Sequence, residues 1–258
     1  MTDHAINEAR RTSFDHQAEL YDAARPSYPV ALIDDVIARC APQRMLEVGA
    51  GTGKATVPFA RTGRELVAIE PGEQLAAVLR RKVAGLPHVT VEQTTFEAYP
   101  GEGFDLVYAA QAFHWVDPAV RYTKAAAVLR PGGALAVIRN EHTAIEPALR
   151  RELDAAYARW VPAKPRTDDD VPDALHKWTT EIAASARFGP VDVGRFPWTA
   201  TYTSRGYVDL LATYSDHALI ADAPRRSLFA DIADAIERRG GHIEIPYVAL
   251  VFFARVRS

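Results

Sequence analysis

Leu46-Glu47-Val48-Gly49-Ala50-Gly51-Thr52-Gly53 is the stretch on which the reading of this chain turns. Met45–Gly49 is a short apolar run ending in glycine, the pattern of a buried strand, and a helix opens at Lys54–Arg61 after the turn. The glycines between them let the backbone turn sharply and come close to a ligand with no Cβ in the way. Open α/β sheets bind their ligands at this carboxyl end of the strands. Tight turns also use glycine for geometry alone, so the loop needs a second feature before it means a site.

Working outward, the strand–helix alternation continues. Strands are predicted at Glu65–Glu70, His88–Gln93 and Phe104–Ala110, with helices at Gln74–Val83 and Pro118–Leu129. Pro131-Gly132-Gly133 then turns the chain into a strand at Ala134–Arg139. Such a series predicts a parallel sheet covered on both faces, with right-handed crossovers. On the N-terminal side, residues 4–25 read as a helix with sparse apolar residues. Pro26 and Pro29 end it, and an amphipathic helix follows at Val30–Cys40.

Beyond about residue 140 the alternation stops. Residues 145–187 read as two helices around the loop VPAKPRTDDDVP, Trp198–Thr203 as an alternating strand, and 205–212 and 222–239 as further helices. Tyr247–Val256 is strongly β-prone and is expected inside the sheet. The expectation is one domain over 1–258, with residues 1–28 as an N-terminal lid helix, 29–140 as the ligand-binding half and 141–258 as helical cap insertions and closing strands.

Bulk properties narrow the function classes. A net charge of −3 gives no basic footprint for nucleic acid, and the single cysteine, Cys40, allows no disulfide framework and no cysteine-rich metal site. No metal-ligand spacing emerges from the scattered histidines, and Asp168-Asp169-Asp170 reads as a solvated loop or helix cap. With no apolar run of membrane-spanning length and a polar N-terminus, neither a membrane nor a secretory address is expected, which leaves the cytoplasm. The oligomeric state is not legible. No G-x-S-x-G elbow is present, so a hydrolase on this sheet would lack its nucleophile.

Glu70 is the second feature the glycine loop requires. It ends the second strand 23 residues after Glu47, where a carboxylate can accept both hydroxyls of a ribose. Dinucleotide enzymes share that acid, but their fingerprint needs glycine at the sixth position of G-x-G-x-x-G, and Lys54 stands there. The glycines fall instead at 49, 51 and 53. Glu47, two residues before the first glycine, would repel a pyrophosphate and attract an ammonium group. The spacing favours an adenosyl amino acid.

Here the chain resembles a family. LEVGAGTGKAT, the acid of VAIEP, the strand and turn FDLVYAAQAFHWVDP and the turn VLRPGG look like class I S-adenosylmethionine-dependent methyltransferases. FDHQAELYDAARPSYP and FHWVDP are similar, more narrowly, to the trans-aconitate methyltransferase-like branch. The specific motifs cover roughly residues 14–140, with weaker likeness at ATYSDH and the last strand. The resemblance implies a doubly wound, mostly parallel seven-stranded α/β sheet of order 3-2-1-4-5-7-6, its last strand antiparallel, with helical lid insertions. It also implies S-adenosylmethionine as cofactor. Glu47, Gly49, Ala50, Gly51 and Gly53 would then hold the methionine end, Glu70 the ribose and Pro71 the adenine. Relatives often carry an aspartate where Thr95 stands, so the Phe96 backbone N–H and Thr95 would share the adenine edge. Ala109, at the end of the fourth strand, would offer a carbonyl to the donor's amino group, with Gln111 a nearby polar contact.

Methyl transfer is an in-line displacement on an already reactive donor, so a protein mainly positions the reactants and excludes water. Tyr21 and Tyr28 are candidates to cover the donor, and Arg25 to pair with a carboxylate; surface packing around a proline-fixed turn is their plainer reading. His114 is a candidate general base or, alternatively, a donor-supporting or acceptor-binding residue, with Trp115 as pocket wall. Tyr214 and His217 are candidates to contact the acceptor, against a plain helix end and loop. The expected function is methyl transfer to a small-molecule acceptor, at a carboxylate or hydroxyl oxygen. Cyclase or lyase chemistry on the same donor, and a donor-binding scaffold without activity, are the alternatives.

Overall fold

The computed structural model describes Asp15, Gln17–Pro162 and Val171–Arg257. Asp168-Asp169-Asp170 and residues 4–14 of the expected first helix lie outside the described residues. The chain divides into two compact units: Ser27–Asn140, Pro172–Phe196 and Ala249–Ser258 in the first, and Met1–Pro26, Glu141–Val171 and Pro197–Val248 in the second.

Seven strands form one sheet: β1 (Arg44–Val48), β2 (Glu65–Ile69), β3 (Val89–Glu92), β4 (Phe104–Ala110), β5 (Leu129–His142), β6 (Asp192–Thr203) and β7 (His242–Arg255). Their order is β3-β2-β1-β4-β5-β7-β6, as expected. The first five pair in parallel, with Glu47 of β1 opposite Ala68 of β2 on one side and Tyr108 of β4 on the other. Because β1, β2 and β4 are parallel neighbours, their carboxyl ends fall on one edge, and that edge receives the glycine loop, Glu70 and Gln111. The strand β7 runs the other way. Val256 N–H donates to the Gly133 carbonyl and Thr143 N–H to that of Pro246, so the residue number rises on one strand as it falls on the other.

In the first unit, helices α2 (Val30–Cys40), α3 (Thr56–Ala60), α4 (Glu73–Val83), α5 (Arg121–Val128) and α7 (Val171–Ala184, from Pro172 on) accompany these strands. Their buried sides follow the helical period, as with Leu75, Ala76, Val78, Leu79 and Val83 on α4. The central strands are apolar on both faces: Met45, Leu46 and Val48 of β1 and Leu66 to Ile69 of β2 are all buried.

The second unit holds α1 (Ala18–Ala24), α6 (Pro147–Trp160), α8 (Ser204–Ala212), α9 (Ser215–Ala218) and α10 (Asp222–Glu237). Leu153, Leu210, Leu211, Leu228, Ile232 and Ile236 are in its core. Glu146 caps α6 by accepting the Ala148 and Leu149 N–H groups, both at 2.7 Å.

Several elements differ from expectation. Pro131-Gly132-Gly133 is not a turn before a strand but part of β5, which is continuous from Leu129 to His142. The pairing jumps from Phe104↔Leu129 to Leu106↔Ala134, so the strand absorbs the extra residues as a bulge. Gly133 sits so near β4 that a Cβ there would lie 3.1 Å from the Phe104 carbonyl oxygen, which explains the glycine. The strand β6 begins at Asp192, six residues before Trp198, with Pro197 tolerated because β6 is the sheet's edge. At the other end of the chain, β7 begins at His242 rather than Tyr247. Ser215–Ala218, expected as part of a polar stretch between helices, forms the short helix α9. No helix among the described residues is long and apolar enough to cross a membrane. No group of three metal-ligating side chains is found among them either.

Candidate active site

The three glycines of the loop after β1 all have left-handed backbones, with φ of +68° at Gly49, +56° at Gly51 and +87° at Gly53. Two of them are glycine for packing. A Cβ on Gly49 would lie 2.6 Å from Ala112 Cβ, and one on Gly53 would lie 2.6 Å from Leu79 Cδ1. Gly51 differs: a Cβ there would meet nothing within 4 Å. Its bare backbone faces open space, as a ligand-approach position requires. The loop's amides are already engaged. Gly49 and Ala50 donate to the Ile69 carbonyl at 2.9 and 3.0 Å, and Gly53 to that of Ala50 at 2.9 Å.

Gly51 N–H donates to Glu70 Oε2 at 2.8 Å, and Gly72 N–H donates to Glu70 Oε1 at 2.8 Å. One carboxylate thus ties the loop after β1 to the end of β2. Each oxygen accepts one of these bonds, and a carboxylate oxygen can accept more than one hydrogen bond. Pro71 follows, half-buried. Glu47 is only 1% exposed, and Tyr108 OH donates to its Oε2 at 2.9 Å. Burial, helped by the nearby Glu70 charge, pushes the Glu47 carboxyl up to about 8, so it carries a proton at neutral pH. Tyr108 in turn stacks on Phe59, ring centroids 4.1 Å apart.

At the end of β3 the expected adenine edge is a turn. Thr95 Oγ1 accepts the Ala98 N–H at 3.3 Å, and Phe96 is buried. Ala109 is buried within β4 opposite Val137 of β5. Gln111 ends that strand with φ +55°, a conformation side chains rarely adopt. Two bonds to β5 hold it there: its N–H donates to the Ile138 carbonyl at 2.9 Å, and its Nε2 to the Asn140 carbonyl at 2.8 Å. A single 3₁₀ turn, Phe113–Trp115, follows. Phe113 is buried edge-on against Tyr122 and close to Trp178 of α7. The His114 Nδ1 lies 3.2 Å from Arg139 Nη1, and its ring centroid is 4.6 Å from that of Trp115. Burial, and then the charges of Arg139, Lys177 and Arg121, push the imidazole down to about 3. At neutral pH the ring is uncharged. Behind this turn, Arg121 is 5% exposed and pairs with Glu181 of α7.

In the first unit, then, Glu47, the glycine loop, Glu70 and the turn carrying His114 are brought together, the last through Ala112 against Gly49. Tyr28, half-buried, opens the segment leading into α2. The remaining candidates form a separate cluster in the second unit. Arg25 Nε and Nη2 donate to Thr213 Oγ1 and O at 2.8 and 2.9 Å. Its guanidinium lies over the rings of Tyr214 and Tyr21, 4.3 and 5.1 Å from their centroids. His217 is buried, with Nε2 2.6 Å from Tyr157 OH and Nδ1 3.0 Å from Asp216 Oδ1. Both ring nitrogens are therefore engaged inside the protein.

Sequence reasoning missed Tyr108, Arg139 and Asn140. The register of adjacent parallel strands could have found Tyr108, which sits opposite Glu47. Nothing in the sequence marks Arg139 and Asn140, because only the bulge in β5 decides which of its residues reach the end of β4.

Comparison with known proteins gives a consistent result. Residues 46–137 match a family model described as a methyltransferase domain. An uncharacterized methyltransferase of Mycobacterium bovis is 34% identical over 205 residues, which is 79% of this chain and 76% of that protein. A ubiquinone biosynthesis O-methyltransferase of a Bradyrhizobium species is 35% identical over 97 residues, 36% of this chain and 38% of that one. Among solved structures, a type II methyltransferase candidate from Anaeromyxobacter dehalogenans superposes with a TM-score of 0.67 at 22% identity. It covers 90% of this chain and 97% of its own. A phosphoethanolamine N-methyltransferase of Haemonchus contortus, solved with S-adenosylhomocysteine, gives 0.54 at 16% identity over 100% of this chain and 60% of that one.

Proposed function

The chain belongs to the methyltransferase family, and we propose that it transfers the methyl group of S-adenosylmethionine to an oxygen of a small-molecule acceptor. The observation that carries the donor site is the bond from Gly51 N–H to Glu70. It joins an uncrowded glycine backbone and a carboxylate into one cradle at the carboxyl edge of the sheet. The donor supplies a methyl group on a positively charged sulfur, already activated for displacement. The protein's part is to bind, orient and keep out water.

In this reading Glu70 receives the ribose hydroxyls, and Gly49, Ala50, Gly51 and Gly53 shape the path of the methionine portion. Glu47 faces the donor ammonium, and Pro71, Thr95 and Phe96 flank the adenine. Ala109 and Gln111 close the cradle on the β4 side, next to Tyr28, His114 and Trp115. Tyr21 and Arg25 are proposed to bind the donor, Tyr21 and His114 to be the catalytic candidates, and Tyr214 and His217 to contact the acceptor. Arg25 supports an acid as ligand, since among the described residues its two side-chain hydrogen bonds go to Thr213 and neither to a carboxylate. The O-methyltransferase relative supports oxygen as the atom methylated. The runs ARPSYP and FHWVDP support the narrower trans-aconitate methyltransferase-like branch.

The test is isothermal titration with S-adenosylhomocysteine, followed by incubation of the protein with labelled-methyl donor and a small-metabolite extract. Binding and a methyl ester or methyl ether product uphold the proposal. Binding with label only in nitrogen- or carbon-methylated products would refute oxygen, and no binding would refute the donor site.

A further inference from the structure

We infer that Arg139 is a positioning residue that holds His114 as its Nε2–H tautomer, so that the ring meets the acceptor as a hydrogen-bond donor and takes no proton from it. The acceptor part of this inference rests on the methyl-transfer reading above; the tautomer does not. Three consecutive residues of β5 grip the end of β4. The Ile138 carbonyl accepts the Gln111 N–H, Arg139 reaches the His114 ring, and the Asn140 carbonyl accepts the Gln111 side chain. The left-handed backbone of Gln111 is held from both sides of Arg139, which fixes where the next turn stands.

The chemistry of the contact is one-directional. A guanidinium has five N–H donors, no acceptor, and does not lose its proton in proteins. Arg139 Nη1, 3.2 Å from Nδ1, must therefore donate, and Nδ1 must carry its lone pair. The remaining proton of the neutral imidazole is then on Nε2. A doubly protonated ring is disfavoured, because the half-buried ring is desolvated and the Arg139, Lys177 and Arg121 charges face it from β5, α7 and α5. The Trp115 ring, which packs against it, offers no competing acceptor. Among the described residues the ring's hydrogen bond is at Nδ1, and none reaches Nε2.

The turn stands beside the loop that would receive the donor, since Ala112 packs against Gly49 two residues before His114. A ring that presents N–H there suits an acceptor oxygen that is already ionised, such as a carboxylate. The oxygen lone pair forms the new O–C bond while the C–S bond breaks and its electron pair stays on sulfur. No proton has to move. A neutral hydroxyl would still have to lose its proton, and the structure assigns that task elsewhere than to His114.

The experiment reads the tautomer in the free protein. Long-range ¹H–¹⁵N spectra of histidine-labelled protein at pH 7, assigned by loss of one spin system in His114→Gln, should show Nε2 protonated and Nδ1 bare. That pattern should persist unchanged down to about pH 5. Arg139→Met should mix the two tautomers, and Arg139→Lys, which also donates and cannot accept, should restore the single form. The Arg139 variants are titrated with S-adenosylhomocysteine, whose affinity should change less than about threefold. A wild-type ring protonated at Nδ1, or titrating near pH 6–7, overturns the inference while intact binding leaves the methyl-transfer reading standing. An unaltered tautomer in folded Arg139→Met also overturns it. No binding of S-adenosylhomocysteine by the wild type would instead bring down the methyl-transfer reading, and the meeting of ring and acceptor with it.

Discussion

Replacing Glu47 by Gln should make the empty protein more stable and the donor bind worse. Glu47 is buried and its carboxyl is pushed from an ordinary 4.5 up to about 8. An acid whose pKa is raised in the folded state binds its proton more tightly folded than unfolded. Stability is therefore lost as pH rises from 4.5 through 8, and the loss is complete above that window. At roughly 1.4 kcal/mol per tenfold change in acidity, the penalty is about 3 kcal/mol at pH 7 and at most about 5 kcal/mol above pH 8. Gln carries no proton to lose, yet its carbonyl oxygen still accepts the Tyr108 hydroxyl. Urea unfolding followed by circular dichroism at pH 5.5, 7 and 8.5 should show the variant's advantage widening by about 1.4 kcal/mol per pH unit up to about pH 8 and levelling off beyond it. Taking the difference between variant and wild type removes the other titrating groups from the comparison.

The same proton should appear in binding. An ammonium beside Glu47 favours its ionised form, so below pH 8 the donor or S-adenosylhomocysteine should displace one proton as it binds. Titration in two buffers of different ionisation enthalpy counts that proton directly. Affinity should tighten by up to about tenfold per pH unit from 6 towards 8, then decline as the ligand's own α-amino group loses its proton. Glu47→Gln should bind more weakly and without this slope. A stability gap that does not change with pH would refute the reasoning, as would a variant less stable than the wild type at pH 8.5.

Gly51→Ala should fold nearly normally, because a Cβ meets nothing within 4 Å, at a cost of about 1 kcal/mol for the left-handed backbone; S-adenosylhomocysteine affinity should fall at least tenfold by calorimetry. Gly49→Ala, driven into Ala112, should instead lower the melting temperature first. Glu70→Gln should weaken the same ligand by about 2–4 kcal/mol, since the amide cannot match the charged acceptor and also loses one of the bonds to Gly51 or Gly72. His217→Leu removes the Tyr157 OH–His217 Nε2 hydrogen bond and should cost about 1–3 kcal/mol in urea with S-adenosylhomocysteine binding unchanged; a large loss of donor affinity would put His217 in the donor site.

What the sequence made legible divides along the kinds of interaction involved. Strands β1, β2, β4 and β5 were readable because their apolar runs are buried on both faces, whereas the edge strand β3, with no fully buried residue, was readable from its β-branched alternation. Gly49, Gly51 and Gly53 were readable as a loop, but not their division of labour: only the neighbours Ala112 and Leu79 show that two of them serve packing and that Gly51 alone is bare. Ser215–Ala218 was missed because a single helical turn has no period to detect. The beginning of β6 was obscured by Gly194 and Pro197, residues that local propensity sets against a strand and an edge position tolerates. His114 shows the limit most clearly. From sequence it is an imidazole of ordinary pKa, open to base or positioning roles. Its burial and three cations from β5, α5 and α7 set its charge, and Arg139 sets its tautomer. Arg139 reaches it only because the bulge at Pro131–Gly133 shifts β5 along β4, placing 138 opposite Ala110. A three-residue irregularity, which the sequence presents as a turn, thus decides which residue meets the histidine. Removing Gly132 should therefore disturb the His114 tautomer as Arg139→Met does, even though the glycine touches neither side chain.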